Sequence, residues 1–126
     1  MHVLIVEANP ALGLIWTRHL ERLSARVVLV DAEGAAIQAL TDTDFEVIIL
    51  NLDLAGGIAL TVADFASYRQ PEARVIFVTN AGFFSDGSIF QFFGNAAALL
   101  PCTTPPEDLA ALVEHHAATG SELSRP

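Results

Sequence analysis

Four short apolar runs in this chain end on side chains that could do chemistry. Glu7-Ala8-Asn9 follows Val3–Val6, and Asn51-Leu52-Asp53 follows Val47–Leu50. Thr79-Asn80 follows Val75–Val78, and Pro101-Cys102-Thr103 follows Ala97–Leu100. Glu7 and Asp53, helped by backbone oxygens, are candidates for a weak Mg²⁺-type site, because hard divalent cations take oxygen ligands. The plainer reading is two solvated loop acids. Cys102 is the one cysteine, so no internal disulfide can form. A reactive thiol needs a positive neighbourhood, and no arginine is adjacent to it in sequence. A buried or half-buried structural cysteine is the expectation. His115-His116 invites a metal reading, but adjacent helical residues point about 100° apart and cannot face one ion together. The six basic residues are all arginine, with no lysine in the chain, which excludes any mechanism that needs a catalytic lysine.

The elements that must position these residues are legible as an alternating pattern. Val3–Val6, Val27–Val30, Val47–Leu50 and Val75–Val78 are continuous apolar runs, as expected of strands buried on both faces of a parallel sheet. Ala97–Leu100 is a fifth strand, although alanine is a poor strand former. Between them lie helical patterns. Leu12, Ile15, Trp16, His19, Leu20 and Leu23 fall on one stripe, with Asn9 as N-cap and Pro10 in the first turn. Ala35–Leu40 and Ile58–Tyr68 are a second and a third helix, the third ended before Pro71. Ser85–Phe93 is a fourth, closed by Gly94-Asn95. In the fifth, Thr104 is the expected cap, Pro105 the first residue and Glu107 the partner in a capping box. Leu109, Leu112, Val113 and His116 form its buried stripe, and Gly120 ends it. Five β-α units predict a parallel sheet with helices on both faces. Ligands of such sheets bind at the carboxyl ends of the strands, which is where the residues above fall.

With 126 residues the chain suffices for one domain. We read 1–118 as that domain and 119–126 as a flexible C-terminal tail. Hydrophobic residues make up 52%, which excludes a disordered chain. Fifteen acids against six arginines give a formal charge of −9, which disfavours nucleic acid as a partner. No apolar run approaches the ~20 residues of a membrane span. The start Met1-His2-Val3 lacks a basic leader, so a cytoplasmic location and a reducing compartment are expected.

Several of these segments together resemble the receiver domains of bacterial two-component response regulators. The resemblance is carried by Val3-Leu4-Ile5-Val6-Glu7-Ala8-Asn9-Pro10, Phe45 to Leu54, Val75-Ile76-Phe77-Val78-Thr79-Asn80 and Pro106-Glu107-Asp108-Leu109. It covers about residues 2 to 118. It implies a flavodoxin-like (βα)5 three-layer sandwich, an α/β fold with five parallel strands in the order 2-1-3-4-5. It also implies phosphoryl transfer from a histidine kinase to an aspartate. That chemistry uses a carboxylate nucleophile, two acids that hold Mg²⁺, a lysine, and a Thr or Ser beside the phosphoryl oxygens. Here the acceptor position falls on Asn51, the acid pair on Glu7 and Ala8, and the lysine on Cys102. Only Thr79 keeps the expected type. Leu99 stands near the aromatic position of many receivers. The fold is therefore expected to remain while the phosphoryl chemistry is lost.

Five of the eight phenylalanines lie at Phe83, Phe84, Phe90, Phe92 and Phe93. Phe90 and Phe92 would sit about 200° apart around a helix, so one helix cannot hide all five against a sheet. Either they form an exposed patch that binds protein, or a distorted helix absorbs them as satellite core. With Leu99 they make the candidate interaction surface. In the resembling family this helix, the fifth strand and the last helix form a common dimer and partner face. The leading expectation is an atypical stand-alone receiver domain, not an enzyme. It would need no cofactor, go unphosphorylated, and bind a signalling protein or a second copy of itself. The alternatives are a working phosphorelay receiver with Asp53 as surrogate acid, and a flavodoxin-like cofactor binder. The turn Glu7–Ala11 lacks the Gly-rich phosphate loop that the last would need.

Overall fold

The computed structural model describes residues 1–54, 58–80 and 93–123, with side chains through residue 118. Five strands form one sheet: β1 (His2–Val6), β2 (Arg26–Val30), β3 (Val47–Asn51), β4 (Arg74–Thr79) and β5 (Ala96–Pro101). Their order is β2-β1-β3-β4-β5 and all pairs are parallel. The described helices are α1 (Pro10–Glu21), α2 (Glu33–Asp42), α3 (Ile58–Arg69) and α4 (Pro106–Leu123). This is the flavodoxin-like α/β sandwich. The expected helix at 85–93 lies outside the described residues, apart from Phe93, which is not helical.

Side-chain alternation along the strands divides the core in two. Leu4, Val6, Ile48, Leu50, Val75 and Phe77 face α2 and α3, while Val3, Ile5, Val47, Ile49, Ile76 and Val78 face α1 and α4. β1, β3 and β4 are buried on both faces almost throughout, as their unbroken Val/Ile/Leu runs predict. β2 differs from expectation. It is an edge strand, and Val28 and Leu29 remain partly open at 37% and 38% exposure.

Asn9 caps α1 as expected, its Oδ1 accepting from the N–H groups of Ala11 and Leu12. The buried stripe of α1 is narrower than the pattern predicts. Gly13, Trp16 and Leu20 are buried, whereas Ile15 and Leu23 are exposed. Gly13 sets this rotation: a Cβ there would lie 2.8 Å from Cδ1 of Leu29, so the helix rests on β2 through its glycine. The last helix also starts differently. Thr104 does not form a capping box; its hydroxyl donates to the Pro101 carbonyl at 2.7 Å. Pro105 accepts from Asp108 and Leu109 instead. A residue before proline is pushed out of the helical region, so Pro105 flanks the helix and Pro106 opens it. At the far end α4 passes Gly120 and continues to Leu123.

Candidate functional site at the carboxyl end of the sheet

β1 and β3 are adjacent, so Glu7 and Asn51 meet where both strands end. The Glu7 backbone N–H donates to the Val30 carbonyl at 3.0 Å, which fixes the start of the loop. Its carboxylate is buried, at 4% exposure, and not a solvated loop acid. Oε1 accepts from the Asn9 N–H at 3.1 Å, and Oε2 accepts from the Asn51 side-chain amide. The Asn51 carbonyl oxygen in turn accepts from the Asp53 N–H at 2.7 Å. The buried amide of Asn51 thus bridges a carboxylate and a turn, each end used with the polarity it offers.

Asp53 is exposed, but its side chain is turned across the sheet end onto β4. Oδ1 accepts from the Thr79 hydroxyl at 2.7 Å and Oδ2 from the Asn80 N–H at 2.6 Å. Residue types alone do not announce this orientation. Its cause is local. The turn after β3 is tightened by the Asn51–Asp53 bond and by the Leu52 N–H donating to Val78, which swings Asp53 over β4.

Cys102 completes the row. Its N–H donates to the Thr79 carbonyl at 3.1 Å and its thiol is half-buried, as the sequence predicts. Burial, then the charges of Asp53 and Glu7, push the thiol pKa above its ordinary value. This is the reverse of the environment that activates a thiol. Ala8 is exposed beside Glu7, in a cleft also lined by Pro10, Leu29, Val30 and Asp31.

Mg²⁺ does not fit this donor set. Ala8 brings no side-chain oxygen. Every oxygen of the Glu7 and Asp53 carboxylates already accepts a hydrogen bond from the chain. Among the described residues no group of three or more His, Cys, Asp or Glu could hold a metal. The N-terminus of α1, which in nucleotide binders receives phosphate, has two of its N–H groups taken by Asn9.

The sequence places Glu7, Ala8, Asn51, Asp53, Thr79 and Cys102 at one sheet end, and the structure brings them together there. It does not forecast the Glu7–Asn51 pair or the reach of Asp53 to Thr79 and Asn80. A signal was present: a buried acid opposite an amide satisfies hydrogen bonding as two acids would not. His115 and His116 lie far down α4, with rings 5.2 Å apart in an edge-on contact. Phe93 and Leu99 rest half-buried against the α2/α3 core, with the Phe93 ring 5.9 Å from that of Phe77. Phe83, Phe84, Phe90 and Phe92 lie outside the described residues.

No protein-family model matches the chain, and no curated protein matches it in sequence. Solved structures match its fold closely. The response regulator receiver domain protein (CheY-like) of Methanospirillum hungatei JF-1 superposes with a TM-score of 0.87 at 18% identity, over 98% of each chain. The signal receiver domain of the putative Luxo repressor protein of Vibrio parahaemolyticus gives 0.84 at 21% identity, over 96% of this chain and 92% of that one. The non-phosphorylated HemR receiver domain of Leptospira biflexa gives 0.83 at 21% identity, over 99% and 97%. The chain has the receiver-domain fold. No described helix is long and apolar enough to cross a membrane.

Proposed function

We propose that this is a receiver-type domain of two-component signalling that works without phosphorylation, by binding another protein. The observation that carries the reading is Asn51 at the end of β3. An amide is a poor nucleophile and cannot give an acyl phosphate. Here it is also committed at both ends, to Glu7 and to the Asp53 N–H. The rest of the site supports the reading. The chain has no lysine to steady a phosphoryl group, Cys102 is not cationic, and the acid set does not suit Mg²⁺. A net charge of −9 would steer the domain toward a basic partner surface.

One observation favours a second reading, in which Asp53 takes the phosphoryl group: its carboxylate is exposed and touches the Thr79 hydroxyl. A single experiment separates the two. Incubation with acetyl phosphate and Mg²⁺, followed by intact mass, is expected to show no adduct. A stoichiometric, hydroxylamine-labile adduct overturns the proposal. Its disappearance in Asp53→Asn would establish the second reading instead.

A further inference from the structure

The two edges of the sheet are finished differently. β5 carries a register shift opposite Val75 and Ile76 and ends in Pro101, two devices that keep an edge from pairing with another chain. β2 has neither. Its stretch Val27-Val28-Leu29-Val30 is apolar and mostly β-branched, without charge or proline, and it pairs with β1 in unbroken register.

The ladder fixes which backbone groups of β2 are spare. The Arg26 N–H donates to the Met1 carbonyl at 2.8 Å, and the Val30 carbonyl accepts from the Glu7 N–H at 3.0 Å. In a parallel pair, alternate residues turn both their backbone groups to the neighbour, so Arg26, Val28 and Val30 face β1. Val27 and Leu29 turn theirs outward, where no described residue bonds to them. The Leu29 side chain rests on Gly13 of α1, so this edge is backed by a helix.

Charge says what fits along it. At its carboxyl end β2 runs into a cleft of about 290 Å³ whose lining includes Glu7, Pro10, Leu29 and Asp31, with Glu33 exposed just beyond. Among the described residues no base lines this cleft, and the ion pair present joins Met1 to Glu46. The Asp31 side is exposed, and the buried Glu7 carboxylate adds negative charge behind it. At the other end of β2, Arg22 and Arg26 are exposed. A metal ion would find no third acidic, histidine or cysteine ligand among the described residues. A second copy of the chain would bring a charge of −9 against −9.

We propose that the outer edge of β2 binds an extended segment of a partner protein as an added antiparallel strand, with an arginine or lysine near the segment's amino end entering the Asp31 cleft. The spare N–H and C=O groups of Val27 and Leu29 supply the main-chain bonds, and the cleft selects a basic side chain. Antiparallel pairing is the more stable geometry. It sets the basic end of the segment at Asp31 and leaves an acidic end to meet Arg26. This surface adds to the function proposed above but does not rest on it: the edge is there whether or not the domain takes a phosphoryl group, and the two are tested separately.

The probe is a blocked peptide, Arg-Thr-Arg-Val-Thr-Val-Glu, titrated into the full chain and followed by ¹H–¹⁵N NMR and calorimetry. Saturable shifts and slowed exchange are expected at the Val27 and Leu29 amides, with the Val28 amide little changed. Exchanging Arg and Glu within the peptide should weaken binding about fivefold or more. Two further peptides, N-methylated at alternate backbone nitrogens in opposite phase, should differ. One loses binding and the other keeps it, because only every second N–H of an added strand faces β2. Asp31→Lys should raise Kd about fivefold or more. Val27→Pro, which removes an outward donor and spares the β1 ladder, should weaken binding too. If the proline variant fails to fold, the exposed Asp31 variant and the N-methylated pair still decide. Shifts centred away from β2, equal loss or equal retention by the two N-methylated peptides, or indifference to the charge exchange overturn the proposal. Shifts at Val27 and Leu29 that follow protein concentration without peptide assign the edge to a second copy and overturn the partner strand.

Discussion

At the scale of single residues, the site turns on the difference between an amide and a carboxylate at position 51. In Asn51→Asp, two buried carboxyl groups would face each other where an amide now donates to Glu7. One of them must titrate above the ordinary carboxylate range. A group whose native pKa exceeds its unfolded value stabilises the fold at low pH and loses that contribution as pH rises through the raised value. The variant should thus approach wild-type stability in mild acid and fall about 2 kcal/mol below it at neutral pH. Chemical denaturation at several pH values checks this, and a gap that does not change with pH refutes it. The same variant is expected to stay unlabelled by acetyl phosphate, since it still lacks a lysine and a second acid at position 8. Labelling at an ordinary receiver's rate would refute the argument from the other positions. For Cys102 the raised pKa predicts alkylation by iodoacetamide slower than that of a free cysteine at neutral and mildly alkaline pH. The residue types at this sheet end were legible in the sequence because they follow apolar runs. Their pairing was not: the resemblance makes β1 and β3 neighbours, but which side chains bond across their ends depends on side-chain conformation, which residue type and spacing do not fix.

At the scale of elements, the staples are side chains that periodicity does not mark. Gln70 follows α3 and is buried. Its Oε1 accepts from the Phe45 N–H at 2.8 Å, while Nε2 donates to the carbonyls of Leu40 and Thr43. It thereby ties α3 to the whole connection from α2 to β3. Gln70→Ala strands all three backbone groups and should cost about 3 kcal/mol in denaturant unfolding. A loss below half of that would mean water replaces the amide. The turn from α1 to β2 offers the opposite case. Ser24 sits at φ 63, where a side chain is strained. Ser24→Gly should gain about 0.5–1 kcal/mol, read as a higher midpoint without a change in m-value. The strands and α1 to α3 were legible because apolar runs and, for α1, the Asn9 cap are local, although α2 runs two residues past each end of the expected Ala35–Leu40 and starts without a side-chain cap. The start of α4 was misplaced because two adjacent prolines outweigh a capping box. The exposure of Ile15 was missed because it depends on Leu29 lying against Gly13, a contact between elements.

At the scale of the whole molecule, the aromatic segment is where a partner is expected. The face we propose for it combines residues 83–93, β5 and α4. β5 is the other edge of the sheet and is only half-buried along its length. Leaving a phenylalanine in water forgoes roughly 1.5–3 kcal/mol, a drive to associate that a partner would satisfy. Phe90→Ser with Phe92→Ser should therefore keep the fold and abolish partner capture or self-association by light scattering. A steep fall in melting temperature would place those rings in the core instead. The strand order also governs how the molecule comes into being. β1 is made first, yet it lies inside the sheet and must hold a place for β3, pairing Val3 with Val47 across the intervening β2 and α2. Such a long-range closure is a slow step. Substitutions in β1 or β3 should mainly retard folding, whereas changes in the edge strands β2 and β5 should mainly hasten unfolding.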